Sequence, residues 1–385
     1  MLRAMRRGSV QISNRLAGYD PVGGGVVPKS LKVCADADCP VCGKGTESTS
    51  GLRIIYVVPS DNAPTGGHKV SYREIEIIAN HGIPCFAFHP EKPGANYTWF
   101  SHGVKSLPVG HFDPRRDFLV FPEVWAAVAA KFCVPAGLRY AIYVQNGYLA
   151  HLSAGFSQET LRQAYEHVDV VLSISSDTTE LISMIYPFLP RERILRIFHS
   201  VGPLFRAGDK ERLITYMPRK LRAHSERLYL YLQGILPDGW QLRAIENLDE
   251  GGVAALMSRS SIFLSFSELE GCPLPPIEAA LSGNIVVGYT GQGAKEYFSR
   301  PIFREVQNGD FLSFVEQIRR AIEDVDRGLP VRGEFRDQAV SLANVHSLAN
   351  ETAHVLRFVR RVQEIMGADS ESQAASAPGI RRYGS

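Results

Sequence analysis

No run of apolar residues in this chain approaches the ~18 needed to cross a bilayer as a helix. The basic opening, Arg3, Arg6 and Arg7, leads into Gly8, Ser9, Gln11, Ser13 and Asn14 in place of the apolar stretch of a secretory leader. The expectation is therefore a soluble, cytoplasmic protein. Cysteine is scarce: six in 385 residues exclude a disulfide scaffold, and Cys85 and Cys133 stand in apolar segments that suit buried, reduced thiols. An excess of either charge is also missing, because 42 Lys and Arg face 40 Asp and Glu, which argues against nucleic acid as a partner. The pattern G-x-x-x-x-G-K-[ST] is absent, which excludes a phosphate-loop NTPase, and Pro64-Thr65-Gly66-Gly67 is not the G-x-G-x-x-G turn of a dinucleotide dehydrogenase. What is present, 45% hydrophobic and 21% charged residues, excludes general disorder, collagen and coiled coil and suits two globular domains.

Residues 1–50 lack a sustained hydrophobic period and are rich in Gly, Ser and Thr, so they read as a flexible extension. Within them Cys34, Cys39 and Cys42 form C-x4-C-P-x-C, whose last pair has the spacing of half a zinc knuckle. A closed zinc site takes four ligands, so His68 or a second chain would have to complete it. The alternative is a thiol-bearing tail.

From Gly51 the pattern changes to short apolar runs alternating with helical periods, the signature of parallel sheets covered by helices. The run 52–58 ends at a turn holding Gly66 and Gly67, after which Val70, Glu74, Ile75 and Ile78 recur at helical spacing. Similar strand and helix segments divide into one α/β lobe at 51–205 and a second at 206–366, with the ligand expected in the cleft between them. Residues 367–385 read as a disordered tail.

The most informative stretch runs from Ser267 to Val287. A strand leads into a turn holding Glu270. Pro275 and Pro276 then open a helix whose first turn is expected to present Glu278 and free N–H groups. Two carboxylates so placed can accept hydrogen bonds from sugar hydroxyls. Arg219 and Lys220, at the amino end of another helix, want an anionic partner.

Glu270, seven residues, Glu278, with Glu270-Gly271, Leu274-Pro275, Glu278-Ala279, Gly283 and Val286-Val287 in place, resembles the E-x7-E signature of retaining GT-B glycosyltransferases, especially family 4. The resemblance covers about 51–366 and implies two Rossmann-like lobes with parallel sheets facing a cleft. It implies Glu270 as the catalytic-site carboxylate that holds the donor sugar, and Glu278 on the nucleotide ribose. The donor diphosphate would meet Gly66, Gly67, Arg219, Lys220, Gly271, Gly291 and Gly293, with no catalytic metal or cofactor. Gln145, Asn146 and His151 would touch donor or acceptor. The implied reaction moves a sugar from a nucleotide-diphosphate sugar to a carbohydrate or lipid-linked hydroxyl with retention, in bacterial polysaccharide or glycoconjugate synthesis. A lipid-linked acceptor would bring peripheral membrane contact at the inner membrane face.

Two departures stand out. Where the family reads Glu-Gly-Phe-Gly, this chain has Glu270-Gly271-Cys272-Pro273, and Pro273 has no N–H to donate. The Gly-Arg strand end is replaced by Met217-Pro218-Arg219-Lys220. A nucleotide-sugar epimerase of the same architecture, or a non-catalytic scaffold subunit, are the competing readings.

Overall fold

The computed structural model describes residues 26–34, 51–62, 65–154 and 157–376. The apolar runs become two parallel sheets. In the first lobe β2 (Arg53–Val57), β3 (Cys85–Phe88), β5 (Asp117–Pro122), β6 (Arg139–Val144), β7 (Val170–Ser173) and β8 (Ile194–Arg196) are ordered β3-β2-β5-β6-β7-β8. In the second, β9 (Leu213–Tyr216), β10 (Gln241–Ala244), β11 (Ile262–Glu270), β12 (Ile285–Gln292) and β13 (Phe303–Glu305) are ordered β10-β9-β11-β12-β13. Each sheet reverses its winding direction beside its first strand, between β2 and β5 and between β9 and β11. Ligands of doubly wound sheets lie at such switch points, beyond the carboxyl ends of the strands.

Helices cover both sheets because each presents one apolar face. In the first lobe α1 (Gly66–Asn80) is followed by α2 (Ala126–Ala136), α3 (Gln158–Glu166) and α4 (Ser176–Ile185). In the second, α5 (Arg222–Gln233), α6 (Glu250–Arg259), α7 (Leu274–Leu281), α8 (Phe311–Asp326) and α9 (Gly333–Val345) precede a long last helix, α10 (Leu348–Ser376). Helix α1 buries Val70, Tyr72, Ile75 and Ile78 against Ile54 and Tyr56 of β2. A buried ion pair pins the adjacent strand starts, with Arg53 donating to both oxygens of Asp117 at 2.6 Å each. Removing Arg53 leaves buried Asp117 with only the weaker Arg116 contact at 3.8 Å and the Asp113 N–H, so Arg53→Met is expected to lower the unfolding free energy by up to about 3–5 kcal/mol. Urea denaturation measures this, and an unchanged midpoint would refute it.

Three expectations about boundaries need correction. Part of the extension is ordered: β1 (Leu31–Val33) pairs in parallel with β4 (Gly110–Phe112), and Leu31 and Cys34 are buried. Leu31 joins the first lobe's apolar core, which is why this segment does not stay free. Cys39, Cys42 and the arginines at 3, 6 and 7 lie outside the described residues.

The second lobe does not extend to 366 as a packing unit. Helix α10 returns to the first lobe, where Val355, Phe358, Val359, Val362 and Met366 enter the core formed by Ile54, Ile75, Cys85 and Phe118. Its apolar stripe finds there the uncovered face of the first sheet. The tail expected from 367 is helical to Ser376, and residues 377–385 lie outside the described residues. No helix among the described residues is long and apolar enough to cross a membrane.

Candidate active site

The two switch points face each other. From the first lobe, β2 leads to the turn before α1. Thr65 caps that helix by accepting from the His68 N–H at 3.3 Å, leaving the amides of Gly66 and Gly67 at the helix start, where no intrahelical acceptor exists. Beside Gly66 the space is open, whereas Gly67 is covered by Gln145, whose Oε1 would lie 2.2 Å from a Cβ there. Gln145 Nε2 donates to Gly67 O at 3.1 Å and to Ser71 Oγ at 3.2 Å. A larger residue at 67 would displace this glutamine.

Gln145 and Asn146 follow β6 and are fixed by Glu123, just past β5. Its buried carboxylate accepts the Gln145 N–H at 3.2 Å and the Asn146 N–H at 2.9 Å. Burial pushes the Glu123 carboxyl up to about 7, with those N–H donors working in the opposite direction. The sequence reading missed Glu123. Its place at the carboxyl edge of a strand beside the switch point is the signal that would have found it.

From the second lobe, β11 runs through a bulge between Ser267 and Glu270, so Glu270 is the last strand residue and is not held in a turn beyond it. Bulges re-aim a side chain, and here Glu270 Oε2 comes to 3.4 Å from Lys220 Nζ. Arg219 beside it is exposed and makes no ion pair among the described residues. The backbone here is strained: Leu269 (φ 47°) and Gln292 (φ 76°) both occupy the left-handed region without being glycine.

Three glycines let the strand ends close together. A Cβ on Gly291, itself at φ 63°, would lie 2.8 Å from Ser267 Cβ. One on Gly293 would lie 1.8 Å from Gly271 O, and one on Gly271 would lie 2.3 Å from Gln145 O in the other lobe. Asn146 Nδ2 crosses the same boundary to Leu269 O at 2.8 Å. The structure thus brings Gly67, Gln145, Asn146, Glu270, Gly271, Lys220, Gly291 and Gly293 into one connected cluster.

Glu278 departs from expectation. Helix α7 begins at Leu274, so Glu278 is its fifth residue and stands in the second turn. Pro275 and Pro276 occupy the first turn and carry no N–H, so this helix start offers few of the donors expected of it. Glu278 is half-buried, and desolvation pushes its carboxyl up to about 7 against the opposing charges of Lys69 and Arg73. Lys69, one turn into α1, also forms an ion pair with Glu250 of α6 across the cleft. Lys69, Arg73 and Glu250 escaped the sequence reading because nothing local marks a pair 181 residues apart.

His151 lies on the short helical segment Gly147–Ser153, and burial lowers its pKa, favouring the neutral ring. Cys34 is held beside β4, its N–H donating to Phe112 O at 2.8 Å. No group of three or more His, Cys, Asp or Glu suited to a metal ion occurs among the described residues.

Comparison with known proteins accords with this geometry. The chain is 25% identical over 325 residues to an alpha-1,6-glucosyltransferase of Actinobacillus pleuropneumoniae serotype 7, covering 79% of this chain and 91% of that protein. A sucrose-phosphate synthase from Thermosynechococcus elongatus superposes with a TM-score of 0.60 at 13% identity, over 82% of this chain and 100% of the other. HepE of Anabaena in complex with UDP superposes at 0.55 with 12% identity, over 82% and 100%. No family model matches the sequence.

The chain has the GT-B fold. Its two sheets and facing switch points are the architecture expected from the sequence, and the cluster around Glu270 lies where the two lobes meet.

Proposed function

We propose that this protein is a glycosyltransferase that moves a hexosyl group from a nucleoside-diphosphate sugar to a hydroxyl of a carbohydrate or lipid-linked acceptor, with retention and without a catalytic metal. The observation that carries the reading is the pairing of Glu270 with Lys220 at the end of one switch-point strand, next to Gly271, which meets Gln145, the residue that also covers Gly67 at the other switch point. The resemblance to family 4 supports the same roles. UDP-glucose is the donor we assign, since HepE of Anabaena is described in complex with UDP-glucose and the sequence relative is named a glucosyltransferase. Synthesis of a bacterial surface glycan is the setting this implies.

In this mechanism the bond between the sugar's anomeric carbon and the diphosphate oxygen breaks. Charge grows on the leaving diphosphate, where Lys220, Arg219 and the amides of Gly66 and Gly67 stabilise it. Glu270 accepts hydrogen bonds from the sugar hydroxyls. The acceptor oxygen attacks from the leaving-group face and passes its proton to the departing diphosphate.

Thermal stabilisation by UDP, GDP, ADP, CMP and dTDP tests the nucleotide assignment, because a ligand bound only by the folded state raises Tm by mass action. UDP alone is expected to act, and to fail in the Arg219→Ala plus Lys220→Ala variant. No response to any nucleotide would sink the reading.

Glu278 adds a pH signature. If its ionised form accepts the ribose hydroxyls, affinity falls as pH drops through about 7, by up to about tenfold per pH unit in the limit. Glu278→Gln should flatten that profile, whereas an equal slope in wild type and variant would remove Glu278 from the ribose.

One observation favours a scaffold instead. Pro273, Pro275 and Pro276 remove N–H donors beside the cleft. That reading predicts nucleotide binding without turnover of any nucleotide sugar.

A further inference from the structure

The two lobes are joined by a further contact, beside the cluster around Glu270. The short helical turn Gly293–Glu296 follows β12 and carries Glu296 across the lobe boundary. Its Oε2 accepts from the Ser176 N–H at 2.9 Å, from Ser176 Oγ at 2.9 Å and from Arg196 Nη1 at 3.1 Å; its Oε1 accepts from Arg196 Nη2 at 2.5 Å. Ser176 opens helix α4, so the carboxylate sits at the positive end of a helix as well as on a guanidinium.

Arg196 is itself held in place. Its guanidinium lies 4.3 Å from the Phe198 ring centroid, and its carbonyl accepts from His354 Nδ1 of α10 at 2.9 Å. At the other end, Gly293 presses on the backbone oxygens of Gly271 and Glu270. One rigid turn therefore joins the Arg196 anchor to the backbone of Glu270.

We infer that Glu296 is a positioning residue that fixes the closed arrangement of the lobes and thereby sets Glu270 against the first lobe. This rests on the proposed function for its kinetic consequence, but the contact itself does not. Four charge-assisted donors converge on one partly exposed carboxylate. Among the described residues, the hydrogen bonds of the Glu296 side chain go only to Ser176 and Arg196, and the turn meets the expected nucleotide residues only through the backbone of Gly293. Glu296 should consequently act on turnover and leave nucleotide binding alone.

The test compares Glu296→Ala and Arg196→Met with wild type in three measurements: kcat with the donor, Kd for the nucleoside diphosphate, and the interlobe distance from probes at exposed Glu166 and Glu316. Each variant is expected to lose roughly 10- to 100-fold in kcat, keep Kd within about threefold, and broaden the distance distribution. The double variant should be no worse than the poorer single one, since both remove one contact. Loss of Kd in parallel with kcat would place Glu296 in the nucleotide pocket instead. Unchanged kcat and distance would overturn the inference. If wild type turned over no sugar nucleotide, the functional reading would fail while the distance measurement still judged the clamp. Should one variant not fold, the other breaks the same contact from the opposite lobe.

Discussion

Replacing Glu270 by alanine is expected to reduce sugar transfer by about 10²- to 10⁴-fold while the fold and the nucleotide affinity persist. Glu270 ends a strand of the second sheet and carries a charge balanced by Lys220 at 3.4 Å. Its side chain contributes no core contact, so its loss should leave Tm within a few degrees of wild type. The proposed hydrogen bonds to the donor sugar vanish, and Lys220 is left without the carboxylate that orients it. Glu270→Gln keeps the shape and removes the charge, and should recover only part of the activity. Transfer assayed by release of nucleoside diphosphate, with Kd from calorimetry, separates the outcomes. Full activity in Glu270→Ala would remove this residue from the mechanism.

Gly271→Ala should be nearly as damaging, for a purely steric reason. A Cβ at 271 lies 2.3 Å from the carbonyl oxygen of Gln145, which belongs to the other lobe and is tied down by Glu123. A carbon and an oxygen in weak contact sit about 3.3–3.6 Å apart, so the lobes must separate by about 1 Å. A displacement of that size at a reacting centre costs on the order of 10²-fold. Lys220 and Arg219 stay with the second lobe and only the Gly66 and Gly67 amides move away, so Kd for the diphosphate should weaken far less than kcat falls. A variant with native kcat would mean that the lobes close differently during the reaction.

Both predictions depend on residues that the sequence already singled out, yet the reasons differ. Glu270 and Gly271 were legible through their context within E-x7-E. That Glu270 ends a bulged strand was not, because a bulge is decided by how neighbouring strands register. Glu278 was placed in the first helical turn on the strength of Pro275 and Pro276, and the helix instead begins at Leu274. Proline is tolerated throughout a first turn, so it signals a helix start without fixing its first residue.

The sequence by itself determined the local units: parallel strands from short apolar runs and covering helices from their 3.6-residue period. These depend on neighbours a few residues apart, so the pattern carries them. Tertiary structure alone decided which units meet. Arg196 and Glu296 are 100 residues apart, and Asn146 and Leu269 are 123 apart. Helix α10 belongs to the second half of the chain yet packs on the first lobe, where Val355, Phe358 and Val362 join Ile54, Ile75 and Phe118 in one core. Such contacts follow from matching surfaces brought together by the whole fold, and burial then decides their chemistry. Desolvation lifts Glu123 and Glu278 toward neutrality in this way.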